Sequence, residues 1–349
     1  MRKLLVLAKY GQRAASTRYR FTQYFPALEA AGHQPELSPL LADDYLGARF
    51  AGRIPFAPLL SAGLRRWNDL LRAGNFGTVL LNYEVFPYLP AIYERILATQ
   101  VPIVLDIDDA IFHRYDQNPW LRALLGKKIP RIAAMSRVVI AGNEYLAEYL
   151  RPSQRDVRVI PTVVDTSLYQ PLKKTGGEIP VIGWIGSPST AEYLKAVLPV
   201  LREVADGKRA RLVFVGAGAR SGTGGENTEL REWAESREIA DVQGFDIGIM
   251  PLPDDPWSRG KCGFKLVQYM ACGLPVVASP VGVNSEIVGK AGLLASTGDE
   301  WRRALLSLVE SATMRNELGE AARLRAVEEY SLQRWSWSFV RAVSDATRF

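Results

Sequence analysis

Short β-branched runs separated by longer stretches of helical periodicity recur along the whole chain, and that alternation admits few folds. Parallel strands need a crossover of a dozen or more residues between them, which a helix supplies, so the pattern predicts an α/β protein with parallel sheets wrapped by helices. In the first half the strand candidates are Leu4 to Ala8, Thr78 to Asn82, Ile103 to Asp106, Val138 to Ala141 and Val157 to Ile160. In the second they are Val181 to Ile185, Leu212 to Val215, Ile247 to Met250 and Val276 to Ala278. Between the sets, Pro171-Leu172-Lys173-Lys174-Thr175-Gly176-Gly177 reads as a linker. The expected division is 1–170 and 171–332, two doubly wound units, which suits the core that 349 residues can bury. The tail 333–349 carries Trp335, Trp337, Phe339 and Val340 at helical spacing and is expected to pack back on the first domain. Ligands of such sheets gather beyond the carboxyl ends of the strands, so the search for chemistry narrows to those loops.

Charge is unevenly placed. Residues 1–165 hold 21 Lys+Arg against 15 Asp+Glu, whereas residues 166–349 hold 22 against 22, so the first half carries the whole excess of +6. A basic half fits an anionic membrane surface, a phosphorylated acceptor or nucleic acid, or simple solubility; nucleic acid is not among the expected partners. The two cysteines, Cys262 and Cys272, lie in one short segment and are expected to be reduced thiols in the cytoplasm, with no disulfide and no metal. After Met1-Arg2-Lys3 the apolar run Leu4-Leu5-Val6-Leu7-Ala8 ends at Lys9, too short for a signal peptide or a spanning helix.

Residues 244–283 hold the most chemistry: a strand, a Pro-rich loop, a helix, and a strand ending in Pro280-Val281-Gly282. The helix is expected to start near Gly263 and to stop at Cys272-Gly273, with Pro275 just beyond. Lys261, Lys265 and Gln268 follow at intervals of four and three and share a face once the leading turn includes Lys261. Cations at a helix N-terminus add to the partial positive charge already there and suit a diphosphate. Lys265 is the first choice for that contact, and Arg259 can add a forked guanidinium. Solvated charges on an amphipathic helix are the alternative.

Gln268-Tyr269-Met270-Ala271-Cys272-Gly273-Leu274-Pro275-Val276-Val277-Ala278 resembles the donor-binding core of glycosyltransferase family 4, retaining enzymes of the GT-B fold. The resemblance extends to Gly183-Trp184-Ile185-Gly186-Ser187-Pro188-Ser189-Thr190 and Phe245-Asp246-Ile247-Gly248. It implies two facing Rossmann-like domains with an interdomain cleft, a C-terminal helix crossing back, a nucleotide diphosphate sugar on the second domain and an acceptor on the first. It also implies a reaction without metal or resident cofactor. The sequence departs from the family where paired glutamates fall on Gly260 and Gln268, and where an Arg and a Lys give way to Ser187, Pro188, Ser189 and Thr190. The amide oxygen of Gln268 can take over the ribose hydroxyls, and Lys261 and Lys265 the missing charge. Gly186, Ser187 and Gly282 complete the expected donor set of this half.

In the first half, Tyr10 to Arg20 follows the first strand and opens a helix, bringing backbone amides and Arg18 within reach of a phosphate, with Arg13 and Arg20 open between that role and a basic surface turn, and Gly11 resembles the glycine that lets the family's first loop approach the donor. Asp106, Asp108 and Asp109 end a strand, and alternation puts Asp106 and Asp108 on one face. Asp108 falls where many family members carry a histidine beside the reacting sugar, so Asp108 and Asp109 join Lys265 as expected catalytic residues. Asp108 is assigned to orient the acceptor or to stabilise positive charge at the anomeric carbon. Glu84 and His113 are secondary candidates for which structural roles are the first expectation. The Gly216-x-Gly218 turn after Leu212 to Val215 is an incomplete dinucleotide fingerprint and argues against an NAD oxidoreductase. Leu60, Leu64, Trp67 and Leu71 line one side of a helix among Arg65, Arg66 and Arg72. Core packing is the first expectation for that side, and rest on an anionic bilayer, serving a lipid-linked acceptor, is the alternative. The functional expectation is sugar transfer from a nucleotide diphosphate sugar to a sugar, glycan or lipid-linked acceptor in the cytoplasm or at the inner membrane face. A non-catalytic sugar-nucleotide-binding subunit and a nucleotide-sugar epimerase remain alternatives.

Overall fold

The computed structural model describes residues 2–43, 45, 56–172 and 179–347, and the chain forms two compact units. The first comprises Met1–Thr162, Arg259–Cys262 and Trp335–Phe349; the second comprises Val163–Ser258 and Gly263–Arg334. The passage between them falls at Val163 and not near residue 170. Residues 173–177 of the expected linker lie outside the described residues.

The first unit is built on β1 (Arg2–Tyr10), β2 (His33–Leu41), β3 (Thr78–Asn82), β4 (Ile103–Ile107), β5 (Val138–Ala141) and β6 (Val157–Val159). They pair in the order β2-β1-β3-β4-β5-β6, and every pairing is parallel. The second unit uses β7 (Val181–Ile185), β8 (Arg211–Val215), β9 (Thr228–Arg231), β10 (Ile247–Met250), β11 (Val276–Ala278) and β12 (Gly292–Leu294). Their order is β12-β11-β10-β7-β8-β9, again all parallel. Helices on both faces bury the central strands completely, which is why β3, β5, β7 and β10 read as unbroken apolar runs and not as alternating ones. In the second unit Ile182, Phe214 and Ile249 from the sheet pack with Leu201, Trp301, Leu305 and Leu308 from the helices.

Three strands escape sequence reading, β2, β9 and β12, and each is the edge of its sheet. An edge strand is half covered, so its apolar signature fades; β2 even carries Pro35 and Pro39, which an edge tolerates. The strand order fixes where ligands can enter. Crossovers change direction between β1 and β3 in the first sheet and between β7 and β10 in the second, and the carboxyl ends at such a switch leave an open crevice.

Within the first unit the C-terminal helix Leu332–Ala346 contributes Phe339, stacked on Tyr24 at 4.0 Å between ring centroids. Ser344 Oγ lies 2.9 Å from His33 Nε2, and Asp345 pairs with Arg158 on β6 at 2.9 Å. Trp337, from the same helical pattern, points to solvent.

Arg20 is not a surface turn residue. Fully buried, its guanidinium donates from Nε to both Asp106 oxygens at 3.0 and 2.9 Å, pairs through Nη2 at 2.9 Å, and donates from Nη1 to the Ile160 carbonyl at 2.8 Å. Burial works against the charge on Arg20, but the Asp106 carboxylate overrides it and holds the guanidinium above its ordinary value. Breaking such a pair strands a buried charge, so Arg20→Met or Asp106→Leu alone costs about 3–5 kcal/mol in urea unfolding. The double variant, which removes both charges, recovers most of that loss.

Candidate functional site

At the switch of the first sheet the three aspartates after β4 part company. Asp106 sits inside β4, paired to Asn82 of β3 in register, and is consumed by Arg20. Asp108 accepts a hydrogen bond from the Tyr83 hydroxyl. Asp109 pairs with Lys261 Nζ at 3.0 Å. The expected shared face of Asp106 and Asp108 therefore does not form a cluster, because a buried guanidinium claims one member.

Burial raises the Asp108 carboxyl to about 7, and the neighbouring charges of Asp109 and Asp106 add to that, against Arg20 and the Tyr83 hydrogen bond. Tyr83 follows β3 with φ of 64°, a left-handed conformation that a non-glycine residue adopts only under local constraint. Across the switch, Lys9 Nζ lies 5.3 Å from the Tyr10 ring centroid and 5.9 Å from that of Tyr83. Burial, with Arg114 second, pushes Lys9 down to about 8, against the carboxylates of Glu84, Asp109 and Asp108. Neither Lys9 nor Tyr83 was singled out in the sequence. Lys9 is signalled there only as the polar end of a buried strand, and Tyr83 by nothing, since a positive φ leaves no trace in composition.

The segment Arg259–Cys262 belongs to the first unit, which overturns one expectation. Gly263, at φ of 63°, breaks the chain before the helix Phe264–Ala271 begins, so Lys261 lies outside that helix and does not share its face with Lys265 and Gln268. Asn143, which caps the helix Glu144–Leu150, fixes the segment by donating to the carbonyls of Gly260 and Lys261 at 3.1 and 3.0 Å. The Cys262 thiol donates to the Asp108 carbonyl at 3.1 Å, and both cysteines are free and buried. Arg259 is exposed, and its charge acts on Tyr145.

Around β1 the close neighbour of Gly11 is Asp43: a Cβ on Gly11 would overlap that carboxylate, which also accepts from the Arg13 amide at 3.0 Å. Arg18 lies over the ring of Tyr19 at 5.2 Å. Glu84 is enclosed by Tyr115 and Lys128, both at 2.6 Å, and His113 meets Tyr145 at 2.9 Å and Asp116 at 3.3 Å.

In the second unit, two expected residues, Gly186 and Lys265, come together on Trp184. Its indole lies where a Cβ on Gly186 would fall, and Lys265 Nζ stands 5.5 Å from its ring centroid. Ser187 follows Gly186 in a turn closed by Thr190, whose Oγ1 accepts from the Ser187 amide at 3.2 Å. Gly216, at φ of 76°, packs its Cα against the Gly186 carbonyl, so the loops after β7 and β8 approach as only glycine permits. Gln268 points elsewhere, into a buried cluster. Its Nε2 donates to the Tyr169 hydroxyl at 2.9 Å and to Glu238 at 3.0 Å, while Tyr169 and Trp233 also donate to Glu238 at 2.8 and 2.9 Å. No hydrogen bond reaches Gln268 Oε1 among the described residues. Gly282, at φ of 57°, turns the loop after β11.

Residues 179–311 match the sequence model of the family described as glycosyl transferases group 1. The matched stretch runs from just before β7 to the end of the helix Gly298–Glu310. No curated protein sequence matches the chain. Among solved structures, a sucrose-phosphate synthase from Thermosynechococcus elongatus superposes with a TM-score of 0.72 at 15% identity, over 99% of both chains. HepE from Anabaena, solved with UDP-glucose, gives 0.72 at 14% identity over 99% of this chain and 100% of that one. A glycosyltransferase from Rickettsia africae gives 0.70 at 12% identity over 99% of both. At such identities the likeness is one of fold: α/β, two parallel-sheet Rossmann-like domains of the GT-B type.

The Tyr83 hydroxyl favours the ionised form of Asp108, so Tyr83→Phe is expected to move the titration of that carboxyl upward from about 7. Carbon-13 NMR of labelled aspartate across pH 5 to 9 reads this directly, about half a unit or more being expected. An unchanged midpoint would contradict the geometry.

Proposed function

We propose that the chain transfers a sugar from a nucleotide diphosphate sugar to a sugar, glycan or lipid-linked acceptor, with the nucleotide held by the second unit and the acceptor by the first. The observation that carries this reading is the juxtaposition of Lys265 and Gly186 on Trp184 within the stretch matched to glycosyl transferases group 1. Breaking the bond between the anomeric carbon and the diphosphate leaves negative charge on the departing phosphates and positive charge on the sugar. Lys265, in the first turn of the helix Phe264–Ala271, meets the first. Gln268 Oε1, left free while its amide nitrogen is anchored, is suited to accept from the ribose hydroxyls. Asp108, half-buried and held by Tyr83, is assigned the acceptor side, orienting a hydroxyl or countering the developing positive charge.

Retention of configuration and a reaction without metal belong to the proposal and are supported by the resemblance of residues 268–278 to retaining enzymes. So does a place in polysaccharide or glycoconjugate synthesis. Uridine diphosphate sugars are the first donors to try, since HepE was solved with UDP-glucose. A second reading has its own observation: Gly260 and Gln268 bring no carboxylate, and the Gln268 side chain is tied to Glu238. That favours a subunit that binds sugar nucleotides without turning them over.

Thermal shift across nucleotide sugars identifies the donor, because a ligand that binds only the folded state raises the midpoint by mass action. Lys265→Ala is expected to weaken donor binding about ten- to a hundredfold, the worth of a charge-assisted hydrogen bond. Asp108→Asn is expected to keep donor affinity while turnover falls; full turnover in that variant would remove Asp108 from the reaction. Donor binding with neither hydrolysis nor transfer would favour the non-catalytic subunit, and conversion of donor without acceptor an epimerase.

A further inference from the structure

The helix Phe56–Arg72 is turned the opposite way from its first expectation. Its buried side holds Ala62, Arg66, Asp69 and Leu70, with Arg66 donating to the Ala8 carbonyl at 2.7 Å and Asp69 accepting from Ser38 at 2.5 Å. The outward side holds Leu64, Trp67 and Leu71, which are 72%, 46% and 68% exposed and lie three and four residues apart, one stripe along the helix. The side chain of Leu60 lies outside the described residues. Trp67 meets Tyr93 edge-on at 6.3 Å, which joins the stripe to the helix Ile92–Gln100. There Ile92 and Ile96, one turn apart, are 50% and 38% exposed. Core packing therefore does not explain this face.

We propose that the exposed apolar face of Leu64, Trp67, Leu71, Ile92 and Ile96 is a seat for an anionic lipid bilayer. The charges beside it choose the occupant. Of the charged residues described on these two helices, Arg65 and Arg95 are exposed, Arg72 is spent on ion pairs with Asp69 and with Glu36 of β2, and the acidic residues Asp69 and Glu94 are buried. A surface with aliphatic and indole side chains flanked by cations, and with no exposed carboxylate on its helices, matches anionic headgroups above acyl chains. Residues 1–165 also carry the whole excess of positive charge. A second copy meeting this face across a two-fold axis would oppose arginine to arginine. No helix among the described residues is long and apolar enough to cross a membrane, so the contact is peripheral. It stands independently of the proposed transfer reaction.

The test is sedimentation of the full chain with vesicles of phosphatidylcholine alone and with one third phosphatidylglycerol. Binding is expected only to the second, at low salt, and to fall as salt rises. Leu64→Ser with Leu71→Ser, and separately Arg65→Gln with Arg95→Gln, are each expected to weaken vesicle binding about tenfold or more. Neither pair should lower the thermal midpoint or change the shift produced by a nucleotide sugar, so loss of the seat and loss of donor binding are told apart. No binding to anionic vesicles at low salt overturns the proposal, as does wild-type binding by both paired variants. So would a concentration-dependent dimer that Leu64→Ser with Leu71→Ser dissolves, since the face would then belong to a second copy.

Discussion

The first unit depends on an ion pair that no solvent reaches. Arg20 comes from the helix after β1, Asp106 from inside β4, and the carbonyl that also accepts from Arg20 belongs to Ile160 just past β6, so one guanidinium ties three separated parts of the sheet's carboxyl edge. A charge buried this deeply is tolerated only with its partner and its hydrogen bonds in place, which makes the pair a constraint on register as much as a source of stability. It also sets the electrostatics nearby. Burial, and after it the carboxylates of Asp109 and Asp106, raise the proton affinity of Asp108 to the neutral range, against Arg20 and the Tyr83 hydrogen bond. A carboxyl poised there is suited to proton exchange in a way that Asp106 is not.

The second unit solves a different problem by different means. Its cations are few at the strand ends, and the loops there are shaped by glycine: Gly186 against Trp184, Gly216 against Gly186, Gly263 at the start of the helix that bears Lys265. Close backbone approach exposes amides, and amides with one lysine suit a diphosphate better than a cluster of flexible side chains, because less freedom is lost on binding. Gln268 shows the same economy. Tyr169 and Glu238 hold its nitrogen, so the amide cannot flip and its oxygen faces one way.

How much of this was legible in the sequence follows from where each residue sits. Central strands announced themselves because both faces are buried; β2, β9 and β12 did not, because an edge shares its surface with water. The helix start near Gly263 was readable from its glycine, yet the interval of four between Lys261 and Lys265 misled, since a left-handed residue between them breaks the period. Periodicity also named the stripe of Leu64, Trp67 and Leu71 correctly while leaving its direction open. An amphipathic helix says which residues share a side, and only the packing of Arg66 and Asp69 against β1 and β2 says which side turns in. Arg20 read as one more basic residue because a buried arginine differs from an exposed one only in partners far along the chain.

Two units of similar architecture thus differ in the order of their strands and in the chemistry at their switch points. At the carboxyl ends of β1, β3 and β4 the chain places ionisable groups drawn toward neutrality, Lys9 down and Asp108 up, on either side of a strained tyrosine. Burial is the leading cause of both shifts, and it acts in opposite senses because desolvation penalises whichever form is charged. An acceptor hydroxyl needs such groups, since its proton must leave at the pH where the protein works. At the switch between β7 and β10 stand a lysine and glycine turns, and a leaving diphosphate needs no more than fixed positive potential. The division of roles between the units is therefore argued from what each reacting group requires and from where proton-exchanging and purely electrostatic groups are found.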